Sequence, residues 1–397
     1  MPAARPTIII AGAGIGGLTA SLALAAKGYR IVVLEQAERL EEVGAGLQLS
    51  PNASRILIGL GLGPAISTHA LVPEAVSIMS GPRGIELSRL PLTDAASSAA
   101  NAPYWVVHRA DLQAALVAQV KDHPDIELRL GTAFKDVAND EAEVVVGCGE
   151  GSSYRQEHAA ALIGADGIWS SVRRQLFPDI KPGFSGRIAW RGIVETERVH
   201  ADPAPRCVQL WMGANAHLVI YPVTGGRKLN VVAITSGQWR EPGWSAPAEA
   251  GEVLAQFTAP RWSETARAIV QAVPQWRKWA LFTLPQQIEW TSGPTALLGD
   301  AAHAMLPFAA QGAGMAIEDA AVLASCLDGR STDIPAALRR YADLRQPRVK
   351  RVQQTADQNG RIYHLSGPLA VSRDLVMRAM GGPRLLARQN WIYDWRE

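Results

Sequence analysis

Residues 7–35 constrain this chain more than any other stretch. They run as a β-branched strand (Thr7-Ile8-Ile9-Ile10-Ala11), a turn (Gly12-Ala13-Gly14-Ile15-Gly16-Gly17), a small apolar helix as far as Lys27-Gly28, and a second strand, Tyr29-Arg30-Ile31-Val32-Val33-Leu34, closed by Glu35. Gly12, Gly14 and Gly17 match G-x-G-x-x-G, and Glu35 lies eighteen residues beyond the last of them, the spacing of a βαβ dinucleotide fingerprint. Gly12 permits the tight turn, Gly14 lets backbone approach a pyrophosphate, and Gly17 lets the helix pack against the strand. The helix that opens at Ile15 offers free amides and the positive end of its dipole to phosphate. Glu35, followed by Gln36, is placed to accept a hydrogen bond from an adenosine ribose hydroxyl. Residues 6–26 carry no charge, which also suits membrane insertion. Glycines interrupt that run, however, and neither a basic leader nor a cleavage pattern flanks it, so a buried βα unit is expected.

At 397 residues the chain has room for two domains. With 48% hydrophobic and 19% charged residues it has an ordinary globular balance. A net charge of +2 without a basic, aromatic-interleaved stripe gives no reason to expect nucleic acid. Cys148, Cys207 and Cys326 have neither metal-ligand nor disulfide spacing, so no metal site and a cytoplasmic location are expected. Of the twelve tryptophans most follow residue 165, where they either line an aromatic pocket or pack a sheet.

Downstream, Val43-Gly44-Ala45-Gly46-Leu47-Gln48 reads as a loop or short strand, and residues 53–60 as a helix capped by Ser50 or Asn52. Residues 76–80 and 85–90 form a hairpin. Trp105-Val106-Val107-His108-Arg109 leads into a helix over 110–120, and strands follow at 126–130, 143–146 and 160–163. Gly164-Ala165-Asp166-Gly167 then turns into a helix start bearing Arg173 and Arg174. From 187 to 236 the pattern becomes strands at 206–212, 217–223 and 229–235 without helices between them, an antiparallel sheet and hence a second domain. Helical stretches follow near 247–257 and 262–273. Ala296-Leu297-Leu298-Gly299-Asp300 is a short strand with an acid at its end. A loop through Pro307, Gln311, Gly312, Ala313 and Gly314 precedes a helix over 315–327, with Glu318 and Asp319 in its first turn. The remainder is helical and basic.

Three turns on separate strands (Gly12 to Gly17, Asp166-Gly167, Gly299-Asp300), taken in this order, resemble the single-component FAD-dependent aromatic hydroxylases of the p-hydroxybenzoate, salicylate and 3-hydroxybenzoate hydroxylase type. The resemblance runs from Ile8 to about Leu386. It implies an α/β fold: a Rossmann-like FAD-binding domain of glutathione-reductase type (1–75, 104–182 and 286–345), an antiparallel β-sheet substrate domain (76–103 and 183–285) and a C-terminal helical segment (346–397). It assigns FAD to Gly12, Gly14, Ile15, Gly17, Glu35, Gln36, Gln48, Arg109, Asp166, Asp300, Gln311, Gly312, Ala313, Gly314 and Met315, and puts Pro307 over the flavin. The implied activity takes electrons from NADH or NADPH and uses O2 to hydroxylate a small phenolic or heteroaromatic substrate through a flavin C4a-hydroperoxide. A larger ring substrate, or a flavin module without catalysis, stands as the alternative. The donor has no second βαβ fingerprint of its own, and the enzyme is expected to be a monomer or homodimer with no membrane partner.

On residues alone, Asp300 reads either as a carboxylate for a ribityl hydroxyl or as a helix cap, and Arg109 either as a cofactor contact or as a solvated arginine. In Ala216-His217-Leu218-Val219-Ile220-Tyr221, strand alternation sets His217, Val219 and Tyr221 on one face, with Cys207, Gln209 and Trp211 of the preceding strand opposite them. His217 is suited to take a phenolic proton and Tyr221 to hydrogen-bond the oxygen, and members of the 3-hydroxybenzoate type carry a similar pair. A structural histidine and tyrosine on a packed sheet is the other reading. His303 reads as structural. No arginine that would bind a carboxylate is evident on the sheet.

Overall fold

The computed structural model describes residues 5–40, 46–92, 102–139, 143–199, 206–239, 241, 245–328 and 333–397. The residues just ahead of Gly46 and most of the Ala/Ser stretch at 95–102 lie outside these. The first third of the chain forms β1 (Thr7–Ala11), α1 (Ile15–Ala25), β2 (Arg30–Leu34), β3 (Gly46–Leu49), α2 (Pro51–Gly59), α3 (Gly63–Ser67), β4 (Ala75–Ser80), β5 (Glu86–Pro91), β6 (Trp105–His108) and α4 (Arg109–Asp122). Next come β7 (Ile126–Arg129), β8 (Phe134–Asn139), β9 (Val144–Cys148), β10 (Arg155–Ala159), β11 (Ala161–Gly164), α5 (Ser171–Leu176), β12 (Gly183–Glu195), β13 (Cys207–Gly213), β14 (Ala216–Val223) and β15 (Lys228–Ser236). The chain ends with β16 (Ala246–Ala248), α6 (Ala250–Leu254), α7 (Glu264–Ala272), β17 (Trp276–Thr283), β18 (Thr291–Ser292), β19 (Thr295–Leu297), α8 (Asp300–His303), α9 (Gly312–Cys326), α10 (Ile334–Tyr363), α11 (Gly367–Ala387) and α12 (Asn390–Tyr393).

The glycine turn builds the first layer. β1 lies between β2 and β11 in a sheet ordered β18-β19-β11-β1-β2-β7, parallel except for its edge strand β18. Ile8, Ile10, Ile31 and Val33 are wholly buried, as continuous β-branched parallel strands are when both faces are covered. Gly12 has φ +105°, and a Cβ there would sit 2.5 Å from the Ala165 carbonyl oxygen; one on Gly17 would sit 2.0 Å from the Gly12 oxygen. Only glycine closes this turn against the end of β11.

The second sheet has the order β16-β17-β12-β15-β14-β13-β4-β5 and is antiparallel except where β4 lies beside β13. Its back face packs Trp190, Trp211, Leu218, Ile220 and Trp276 against Trp262, α6 and α7, so these tryptophans pack the sheet. β17 was not expected, because Trp276-Arg277-Lys278-Trp279 breaks apolar alternation. The helices expected near 247–257 and 262–273 shrink to α6 and α7. Gly213 pairs with Ala216, leaving Ala214-Asn215 as a two-residue loop with Asn215 at φ 59°. That loop sets Met212 opposite His217 and Leu210 opposite Val219. The face of His217, Val219 and Tyr221 therefore carries Val208, Leu210 and Met212. Cys207, Gln209 and Trp211 belong to the opposite face, a one-residue correction to the expected register.

α10 is one helix of 30 residues that passes through Pro347, so the expected boundary at 345/346 falls inside a continuous element. α9 starts at Gly312, which moves Glu318 and Asp319 out of the first turn and into complete burial. Arg345 donates to both, at 2.7 Å each; Arg348 grips Glu318 through two nitrogens at 2.6 and 2.7 Å. Asn52 donates to Glu318 at 2.6 Å. Asp319 also holds the Gly299 amide at 3.0 Å and His303 at 2.5 Å, which makes His303 the structural residue expected. Trp391 and Trp395 lie over the guanidinium groups of Arg348 and Arg345.

Burial would push the Asp319 carboxyl up, but His303 and Arg345 outweigh it and hold the group at about 2. An unfolded aspartate titrates near about 4, so this depressed group stabilises the fold above that value and stops doing so as pH falls through its folded pKa. Asp319→Asn should lower stability at neutral pH and flatten the loss of stability between about pH 4 and pH 2, followed by denaturant titration monitored by circular dichroism.

Candidate active site

The cofactor end begins where α1 meets β1. Gly14 caps α1 with extended backbone, and nothing lies within 4 Å of where its side chain would go. The amides of Ile15 and Gly16, in the first turn, have no intrahelical partner. Glu35 closes the turn from the side: its two oxygens take the Ala13 and Ala37 amides, each at 2.9 Å. Gln36 next to it is exposed.

A second helix start lies at α9. Gln311 is its N-cap, and the side chain turns inward, donating to Ser50 at 2.8 Å and accepting from Asn52 at 3.1 Å. Gly312, Ala313 and Gly314 occupy the first turn, and the space over Gly312 is open. Met315 drops out of the expected cofactor set. Its amide already bonds the Gln311 carbonyl at 2.8 Å, and its side chain is buried against Arg345. Asp300 is exposed and makes no hydrogen bond or ion pair among the described residues. The N-cap of α8 is Gly299, so the cap reading of Asp300 fails. Asp166 bonds the Ser171 and Val172 amides through one oxygen at 2.7 and 3.1 Å, while its other oxygen is buried without a partner. Burial pushes this carboxyl up. Arg109 opens α4 directly after His108, whose strand partner is Gly46; Gln48 accepts from the Tyr104 hydroxyl at 2.7 Å. Open helix N-termini at Gly14 and Gly312, with a solvated carboxylate at Asp300, fit the FAD that the resemblance implies.

The second sheet carries its own departure from uniform burial. Among the interior residues of β13, β14 and β15 only Leu210, Val219 and Val232 are half-buried; residues on either side are buried. The register makes them neighbours: Leu210 pairs with Val219, Val219 with Val232, and Val232 with Arg191 of β12. They form a shallow apolar groove across the strands, with a guanidinium at one end. Flanking it on one side is the row Met212, His217, Ile234, Ala189, which packs on Phe308; on the other side are Tyr221 and Asn230. Arg191 lies 5.2 Å from the centre of the Trp279 ring. Arg187, four residues before it, bonds Ser236 at 2.6 Å. Arg191 was not singled out from the sequence as a carboxylate-binding arginine on the sheet, because β12 pairs with β15 and β17, which are distant in the chain, and no local signal shows which face it presents.

His217 and Tyr221 share this face but have separate partners. Tyr221 donates to the Gly46 carbonyl at 2.6 Å, so its proton is engaged and it anchors the strand that holds Gln48. His217 Nδ1 lies 2.7 Å from Nε2 of His364, the residue that ends α10, and its ring meets Phe308 and Tyr363 edge-on at 5.2 and 5.5 Å. Burial, reinforced by His364 and Arg187, pushes the His217 imidazole well below its ordinary range. Pro307 starts the short 3-10 turn that carries Phe308 onto the sheet. His364 was missed because 147 residues separate it from its partner.

The family described as FAD binding domain matches residues 5–356. The chain is 35% identical over 387 residues to 3-hydroxybenzoate 6-hydroxylase 1 of Aquipseudomonas alcaligenes, covering 97% of each. It is 36% identical over 391 residues to a 3-amino-4-hydroxybenzoate 2-monooxygenase of Streptomyces platensis, covering 98% of this chain and 96% of that one. A solved salicylate hydroxylase substrate complex matches with TM-score 0.83 and 25% identity, over 99% of this chain and 96% of that chain.

Gly14→Leu separates folding from cofactor binding. With open space at that site and ordinary backbone angles, the variant should unfold within about 1 kcal/mol of the apo wild type yet purify without flavin absorbance.

Proposed function

This chain belongs to the single-component FAD-dependent aromatic hydroxylases, and we propose that its substrate is a small phenolic carboxylic acid lying across the groove, carboxylate toward Arg191 and hydroxyl toward His217. The enzyme is an FAD monooxygenase that takes electrons from NADH or NADPH and delivers one oxygen atom of O2 to an aromatic ring. FAD, when bound, supplies the redox chemistry and the activation of oxygen. The side chains bind, orient, exclude water and handle one proton.

The single observation that carries the substrate class is the half-buried row Leu210, Val219, Val232 that ends in Arg191. Adjacent strands are about 4.8 Å apart, so Val219 and Arg191 stand about 10 Å apart, a span suited to a benzoate ring and its carboxylate. The guanidinium offers a charged, two-pronged contact. The apolar floor keeps the ring dry, and His217, neutral because it is buried, is a base for the phenol. Tyr221 holds the Gly46 segment, and Pro307 leads the loop that closes the groove on the cofactor side. The free amides of Gly312, Ala313 and Gly314 stabilise negative charge on the flavin ring. Glu35, Gln36, Gln48, Arg109, Asp166 and Asp300 serve the rest of the cofactor. The relatives' named substrates, hydroxybenzoates and an aminohydroxybenzoate, support this reading. Free thiols at Cys148, Cys207 and Cys326 support a cytoplasmic enzyme, and no helix among the described residues is long and apolar enough to cross a membrane. A monomer or homodimer completes the reading.

A panel of hydroxybenzoates, with FAD and NADH or NADPH, should include one that stimulates oxygen uptake and is recovered with an added hydroxyl. If none does, the phenolic-acid assignment is wrong. Arg191→Met should raise KM for that acid by roughly 10- to 100-fold, the value of a charged hydrogen bond, with a smaller effect on the matching hydroxybenzamide. His217→Asn should slow hydroxylation by about a hundredfold and divert NAD(P)H oxidation to hydrogen peroxide. Unchanged coupling would take the histidine out of the chemistry.

A further inference from the structure

His217 alone is a poor sink for a proton, because it is buried and an arginine disfavours its cationic form. Its one polar contact among the described residues is His364, and two neutral imidazoles 2.7 Å apart share a single hydrogen between them. Resting on the proposed function, we infer that His364 is a positioning residue that turns His217 into the inner half of a two-histidine proton relay leading out of the substrate groove.

The pair has two neutral arrangements. In the first, His217 Nδ1–H donates to His364 Nε2, and His217 Nε2, which has no other partner among the described residues, is a base. In the second, His364 Nε2–H donates to His217 Nδ1, and His217 Nε2–H is an acid. Passing from the first to the second takes up one proton at the groove and releases one at the far end. The phenolic O–H bond breaks as His217 Nε2–H forms; His217 Nδ1–H breaks as His364 Nε2–H forms; His364 Nδ1–H breaks and that proton goes to water. The reverse returns a proton to the ring oxygen once the product has regained its aromaticity. Neither end state places an imidazolium in the interior.

The surroundings favour transit over storage. His364 is pushed down to about 3 by burial, then by Arg187 of β12 and Arg373 of α11; Tyr363 packs edge-on against His217 and Phe308 against His364. His364 Nδ1 is buried and has no hydrogen-bond partner among the described residues. The path outward is short. Leu365 and Ser366, the next two residues, line a cleft of about 350 Å³ together with Gly213, Ala214, Arg373 and Asp374. This cleft lies at the tip of the β13–β14 hairpin, where the Asn215 amide bonds the His364 carbonyl at 3.4 Å, and not over the groove. Its wall mixes charges of both signs, with Asp374 paired to Arg373 at 2.8 Å.

The test reads proton release directly. Holoenzyme is mixed without oxygen, in weak buffer with an indicator dye, with the hydroxybenzoate that most perturbs the flavin spectrum; benzoate, which has no phenolic proton, is the control. Wild type should release a proton on binding the hydroxybenzoate and none on binding benzoate. His364→Gln, close in size and able to hydrogen-bond but not to relay, should keep its flavin and its Kd within about twofold while releasing the proton roughly a hundredfold more slowly. His364→Ala should behave likewise and recover with added imidazole, which a packing role would not allow. Release from His364→Gln at the wild-type rate overturns the relay and leaves the hydroxylase reading intact. No release from wild type on binding any hydroxybenzoate overturns the phenol reading and the relay with it.

Discussion

Two adjacent carboxylates wholly shut away from the surface, Glu318 and Asp319, set the geometry of the segments around the head of α9. Each is fully buried and each is answered by Arg345, with Arg348 completing Glu318. Desolvating these groups costs most of what their attraction returns, so the gain lies less in stability than in position. Their remaining acceptor capacity reaches three separate segments. Asp319 holds the Gly299 amide beside Asp300; Glu318 holds Asn52; and Asn52 in turn fixes Gln311 at the head of α9. An apolar replacement of equal volume would keep α9 in the core but let those segments drift. Helix amides that bind an anion are useful only when they are held still before it arrives.

What was legible in the sequence is what local physics decides. A β-branched strand, a turn that only glycine can close, and a helix of small residues point to one structure without help from the rest of the chain. Gly12 and Gly17 meet backbone oxygens at distances no side chain tolerates. The second sheet is different. Its strands were readable, but its faces were not, because a two-residue loop at Ala214-Asn215 decides whether even or odd residues of β13 join His217. β12 shows the same limit more strongly. Arg191 looks like any arginine in a strand until its pairing with Val232 brings it to the end of the groove. Met315 failed for a helical reason: a start at Gly312 makes it the fourth residue of the helix, the first whose amide has an internal partner.

The electrostatics of the two ends follow one logic. At the cofactor end, charge is met by backbone: helix N-termini at Gly14 and Gly312 offer partial positive charge that cannot titrate. At the substrate end proposed above, the cations are arginines, Arg191 at the groove and Arg187 and Arg373 near the histidines. Such cations favour a phenolate over a phenol, while burial, with Arg187 beside both rings and Arg373 beside His364, keeps His217 and His364 neutral. A site that stabilised the phenolate with a cationic histidine would hold the proton beside the oxygen that must react, and hand it back before the ring could attack. Moving that proton along a neutral pair, while fixed arginines supply the positive charge, separates the two tasks. That separation needs a second ring behind the first. The end of α10 is the element that delivers it, because a continuous helix through Pro347 carries His364 to the tip of the β13–β14 hairpin.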